Sequence, residues 1–144
     1  MIRRTGMWAG LLAVLLVLAA CGNGDANTTA PAATVGDPER GRQIWEDGGG
    51  VVGVSEGVGC QGCHSLDGSE KTVGFFIAPT WQGISGRAGD RVPGLSAEEY
   101  LRESIVDPAA YIVEGYSDGT MPKGFRFLLS EEDIDSLVAF LLTQ

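Results

Sequence analysis

The chain has 144 residues, with 10 Lys and Arg against 19 Asp and Glu for a formal net charge of -9, three Cys and a single His. On the usual scale of about 100–200 residues per domain that is one domain, which excludes a two-domain enzyme. Ten cations are also too few for a binding mode that works by neutralising phosphates, so nucleic acid is set aside as a partner.

Arg3 and Arg4 precede an uncharged apolar run from Met7 to Ala20, the basic and apolar regions of an export signal. Fourteen helical residues reach about 21 Å, short of the ~30 Å hydrocarbon layer, so a transmembrane span is the poorer reading. Leu18-Ala19-Ala20-Cys21 resembles the bacterial lipobox, in which the Cys is lipidated and becomes the mature N-terminus. Residues 1–20 are then a lipoprotein signal peptide and Cys21 carries the anchor; a secretory signal with an incidental Cys, or an uncleaved helix, is the alternative. Residues 22–36, GNGDANTTAPAATVG, are small and polar without periodicity and read as a flexible tether. Loss of Arg3 and Arg4 with the signal leaves eight cations against nineteen carboxylates, a mature charge of -11. Such a domain is repelled by anionic headgroups, so lipid rather than a basic patch must hold it at a membrane.

The folded domain is expected over residues 37–144. Asp37-Pro38 opens a first short helix with an Asp cap and a Pro at the first helical position, presenting Ile44 and Trp45. Ser96 and Glu99 form a capping box ahead of Tyr100, Leu101, Ile105 and Val106, and Pro108 stops that second helix. Ser130 precedes Glu131, Glu132 and Asp133 at the positive end of a third helix, whose apolar stripe is Ile134, Leu137, Val138 and Leu141. Between them the chain is rich in Gly, Pro, Ser and Asp, 22 residues being Gly, and no run alternates with period two. The expected class is mainly α, short helices joined by long loops.

Three short helices make a poor core unless something large fills it. Cys60-Gln61-Gly62-Cys63-His64 is the CxxCH pattern of c-type haem attachment. Two thiols three positions apart on one turn can each add to a haem vinyl group, while the next residue turns its imidazole to the iron. Cys60 and Cys63 are thus the expected thioether sites of one covalent haem c, and His64 its proximal ligand. A thioredoxin-like pair would need a βαβ context, and structural zinc would need a fourth ligand that the mature chain lacks.

Met1 and Met7 lie in the signal, which leaves Met121, in the turn-rich stretch Gly115-Tyr116-Ser117-Asp118-Gly119-Thr120-Met121-Pro122, as the one mature Met. It is the candidate second axial ligand, the alternative being a Met packed as soft filler. His/Met ligation saturates the iron and suits a carrier.

These features together resemble a class I monohaem cytochrome c, and in particular the cytochrome c modules of haem-copper oxidase subunit II and related respiratory complexes. The likeness rests on the first helix with Gly41 and Trp45, CQGCH, Ala78-Pro79-Thr80-Trp81-Gln82-Gly83-Ile84-Ser85-Gly86-Arg87, Ser104-Ile105-Val106-Asp107-Pro108 with Tyr111, Gly119-Thr120-Met121-Pro122, and the last helix through Phe140. The resemblance implies that the Pro79 carbonyl orients His64, that Arg87 binds a haem propionate unless it is a plain solvated loop residue, and that Gly41 lets the first and last helices cross closely under Phe140. The sequence departs from the family in placing 14 residues, six of them Gly, between Trp45 and Cys60. They are expected to form a surface loop; a loop that shapes partner docking is the sharper alternative.

The implied function is electron transfer without a small-molecule substrate, at the outer face of a bacterial membrane, with membrane respiratory complexes or other redox proteins as partners. The net charge favours a basic docking surface. A fixed subunit of a membrane oxidoreductase complex is the alternative, and a haem peroxidase or sensor with a labile Met a remoter one. A complete oxidase subunit II is excluded, because no Cys or His is left for a dinuclear copper site.

Overall fold

The computed structural model describes residues 36–51, 59–73 and 76–144. The signal, Cys21 and the tether up to residue 35 lie outside the described residues, as does the middle of the Gly-rich segment, 52–58.

Helix α1, Pro38–Asp47, starts where expected: the Asp37 carboxylate accepts from the Glu39 N–H at 2.9 Å. It ends at Gly48, whose φ of +84 lets its N–H return to the Ile44 carbonyl, a turn that a side chain would strain. Helix α2, Ala97–Val106, carries the complete capping box, Glu99 N–H to Ser96 Oγ at 3.2 Å and Ser96 N–H to the Glu99 carboxylate at 2.7 Å. Helix α4, Glu131–Leu141, is capped by Ser130, with three carboxylates in its first turn.

Two further elements were not expected. An antiparallel ribbon pairs β1, Lys71–Val73, with β2, Phe76–Ala78, in the register Lys71 with Ala78 and Val73 with Phe76. With three residues per strand, neither can display an alternation. Helix α3, Phe125–Leu128, is a single turn after Gly124 with no side-chain cap, too short to show a helical period. The fold is otherwise the mainly helical one the sequence implies.

The core forms where α4 meets α1 and α2. Ile44, Leu101, Ile105, Ile134, Leu137, Val138 and Leu141 are buried together. Burial on α4 is wider than a stripe, since Ser136, Ala139 and Phe140 are buried too. The helix is covered on one side by α1 and on another by α2, while Leu137 and Leu141 face a cavity. Against α1 the approach is close enough that a Cβ on Gly41 would overlap the Ser136 carbonyl and come within 2.7 Å of Phe140 Cβ. The buried Ser136 hydroxyl accepts from the Asp37 N–H at 3.1 Å across the same crossing.

Several of the acidic side chains on α4 are paired rather than merely solvated. Asp133 accepts from Arg40 of α1 at 2.8 Å, and Arg102 of α2 bridges Glu131 at 2.7 Å and also Asp135. The described ends of the Gly-rich segment are likewise packed: Gly48 is buried, Arg40 donates to the Gly49 carbonyl, and a Cβ on Gly59 would strike the backbone of Trp45. Among the described residues no helix is long and apolar enough to cross a membrane.

Candidate haem-binding site

Cys60 to Gly62 form one 3-10 turn, entered through Gly59 at φ +48. The Cys60 carbonyl accepts from the N–H of Cys63 at 3.1 Å and from that of His64 at 2.9 Å. Those two bonds curl the pentapeptide so that both thiols and the imidazole reach the same space. The turn is braced from two sides, Gln61 donating to the Glu46 carbonyl on α1 and Lys71 of β1 donating to the Gln61 carbonyl. The two Cys are not joined to each other.

His64 is buried, and its Nδ1 lies 2.8 Å from the Pro79 carbonyl. A carbonyl only accepts, so Nδ1 must carry the proton, which leaves the Nε2 lone pair for a ligand. Burial pulls the imidazole pKa below its ordinary value; the bond to Pro79 works against this and the Lys71 ammonium adds to it. The ring is therefore neutral at physiological pH, the state in which imidazole binds a metal. The indole of Trp81 covers one face, and the Trp81 backbone N–H donates to the Ser65 carbonyl at 2.7 Å. Burial also pushes the Cys60 thiol up to about 11.

His64, Cys60, Cys63 and Met121 line one cavity of about 370 Å³. Its walls are apolar for the most part, Ile84, Leu101, Ile105, Leu129, Leu137 and Leu141 among them. Pro79 and Arg87, the other positions expected to serve the site, line it as well. Met121 is half-buried and reaches the cavity from a loop that turns at Gly119, φ +80, and is closed by Thr120 Oγ1 donating to the Ser117 carbonyl at 3.0 Å and by the Lys123–Asp118 pair. A Met in such a loop, directed at a cavity, is placed unlike core filler. Cys21 lies outside the described residues.

Arg87 is held differently from what the resemblance implies on its own. Its guanidinium donates to the Thr80 carbonyl at 2.6 Å and to the Gln82 carbonyl, fastening the segment that follows Pro79. Arg91, Tyr100 and Tyr116, to which no motif assigns a role, line the cavity beside it. Arg91 could have been noticed as a second cation four residues past Arg87 in a stretch poor in cations; the two tyrosines carry no local signal.

The residues present fit a haem. The lining supplies two thiols on one turn, an oriented neutral imidazole, a thioether from another loop, and apolar walls for a flat ring. Among the described residues no three His, Cys, Asp or Glu side chains converge as a metal site by themselves. No curated protein shows significant similarity to the chain. The family model for cytochrome c, however, matches residues 38–144, from the first residue of α1 to the C-terminus and across every residue that lines the cavity, and the chain belongs to the cytochrome c family.

Proposed function

We propose that the protein is a one-electron carrier of a respiratory or related electron-transport chain. Haem c is attached through Cys60 and Cys63 and ligated by His64 and Met121, and lipid at Cys21 holds the domain to the outer face of a bacterial membrane. The observation that carries this reading is the meeting of His64, oriented by Pro79, with Met121 and both thiols at one apolar cavity. Bound haem would supply the one-electron couple between Fe(II) and Fe(III).

The chain's own part is to hold and insulate. Pro79 fixes the tautomer and angle of the imidazole and raises its basicity, as outer partners of metal-bound His do. Leu101, Ile105, Leu137 and Leu141 would keep water from a haem held in the cavity. Met121 would supply the second protein ligand to such a haem, which favours a carrier over a peroxidase. The electron partners are membrane respiratory complexes or other redox proteins, steered at long range toward basic surfaces by the mature charge of -11.

A second reading, a fixed subunit of an oxidoreductase complex, is favoured by Phe127. It is 83% exposed on α3 next to Leu128, which lines the cavity, and a permanent partner would cover such a side chain. Recovery of a stoichiometric complex from gently solubilised membranes would select this reading over a free shuttle.

The deciding experiment is an absorption spectrum of the membrane-extracted protein with and without carbon monoxide. A low-spin c-type spectrum with a sulfur-to-iron charge-transfer band, unmoved by carbon monoxide when reduced, is expected. A high-spin spectrum or ready carbon monoxide binding overturns the His64/Met121 assignment.

A further inference from the structure

Arg87 and Arg91 flank the 3-10 turn Ala88–Asp90, and both reach the cavity. Among the described residues neither is in an ion pair; the Arg and Lys side chains that are so paired are Arg40, Arg42, Arg102 and Lys123, all with carboxylates elsewhere. Two like charges at the wall of an apolar cavity, without a counter-ion, are unfavourable by themselves. Arg87, Arg91, Tyr100 and Tyr116 all line the cavity, where burial and then the neighbouring Arg91 charge lower the Arg87 pKa, opposed by Tyr100 and Tyr116.

Arg91 also has a specific deficiency. Its Nε–H is buried and has no hydrogen-bond partner, one of only two such side-chain atoms among the described residues. The other, Trp45 Nε1, belongs to a side chain that packs on Phe140 and does not line the cavity. Buried N–H groups in folded proteins are almost always satisfied, and a guanidinium N–H left dry is the more costly kind. Arg87 has already committed donors to the Thr80 and Gln82 carbonyls. Arg91 is therefore the member of the pair whose donor geometry asks for an acceptor from within the cavity.

We infer that the buried Arg91 Nε–H binds a carboxylate of the haem, one of its propionates, with Arg87 supplying a second positive charge to the same edge. This rests on the haem reading above. It moves the leading propionate role from Arg87, where the resemblance put it, to a residue that no motif marks. The carboxylates are the haem groups able to accept from a guanidinium, and a bidentate or side-on Arg contact is the strong form of that bond. Two cations opposite two propionates would let an acidic protein hold a dianionic edge against its apolar interior.

The test uses the full-length holo protein carrying Arg91→Gln and, separately, Arg91→Lys. Resonance Raman spectra would follow the haem propionate bending band, which a purely structural role of Arg91 would not move. Arg91→Gln is expected to shift that band and to lower the midpoint potential, because removing a nearby positive charge favours Fe(III). Arg91→Lys keeps the charge but loses the Nε–H, so it is expected to shift the band with a smaller change in potential; it also serves if Arg91→Gln does not accumulate. An unmoved propionate band in either variant, with wild-type haem content by pyridine haemochrome, overturns the Arg91 assignment and leaves the haem reading intact. Absence of a c-type haemochrome from the wild-type protein instead overturns the haem reading itself.

Discussion

The indole of Trp81 lies on the imidazole of His64, ring centroids 4.6 Å apart and planes 17° from parallel. The Pro79 carbonyl holds the same ring by its edge at 2.8 Å. Edge and face are therefore both fixed, and rotation of the imidazole about its bond to Cβ would break one contact or the other. Stacked aromatic pairs contribute about 0.5–1.5 kcal/mol beyond their burial. Trp81→Leu is expected to leave haem content unchanged, to lower unfolding free energy by about 2–3 kcal/mol once lost packing is added, and to alter the EPR g values of the oxidised protein. Wild-type g values would mean that Pro79 alone sets the ring angle.

The crossing of α1 and α4 should not tolerate even one methyl group at Gly41. A Cβ there meets the Ser136 carbonyl, which belongs to backbone and cannot swing aside, as well as Phe140 Cβ at 2.7 Å. Overpacking of this kind costs about 1–3 kcal/mol, and separation of the helices would also disturb the Ser136 to Asp37 bond. Gly41→Ala is expected at the upper end of that range and Gly41→Val beyond it, read as a lower melting temperature of the holo protein. Melting at the wild-type temperature would show that the helices can part without loss.

Acid should weaken the same crossing through Asp133. Burial alone would raise its pKa, but bonds from Arg40 and from Ser130 outweigh this and hold it below the ordinary carboxylate value. A group whose pKa is depressed on folding adds stability at pH above its unfolded value, about 3.9 for Asp, and that stability is lost as pH falls through the lower folded value. Asp133→Asn is expected to cost about 1–2 kcal/mol near neutral pH and to cost progressively less below pH ~4, converging on wild type. Urea unfolding at a series of pH values measures this directly, and a difference that stays constant into acid would remove Asp133 from the account.

The lipid attachment proposed at Cys21 has a simple consequence for fractionation. Each buried methylene of an acyl chain contributes about 0.8 kcal/mol to membrane binding, and a domain of charge -11, as the proposed cleavage would leave it, would have no electrostatic attraction to anionic lipid to replace it. Cys21→Ser is expected to move the protein from the membrane pellet to the soluble exported fraction with its absorption spectrum unchanged. Retention in the pellet would point to an uncleaved N-terminal helix.

The long-range framework of the fold was legible because helix ends are written in short local codes. Asp37-Pro38, the Ser96 and Glu99 box, and Ser130 each place a side-chain acceptor where backbone N–H groups need one, and all three helices begin there. The β1–β2 ribbon and α3 lack any such code, being three or four residues long and held by their neighbours. The CxxCH turn and Met121 were legible because residue types so scarce in this chain have few other uses. Arg91 was not, since an Arg in a loop reads the same whether it is solvated or buried. Only the cavity wall and the unpaired Nε distinguish it.

The braced turn at Cys60–Gly62 also bears on when a haem is most easily attached. Thiolates, not thiols, are the reactive form, and burial pushes the Cys60 thiol up to about 11. Glu46, Lys71 and the Gly59 backbone wall in the same turn. In the folded domain Cys60 is thus less readily the thiolate that thioether formation uses. The consequence is that a haem would be joined at Cys60 more readily in the open chain than in the closed domain.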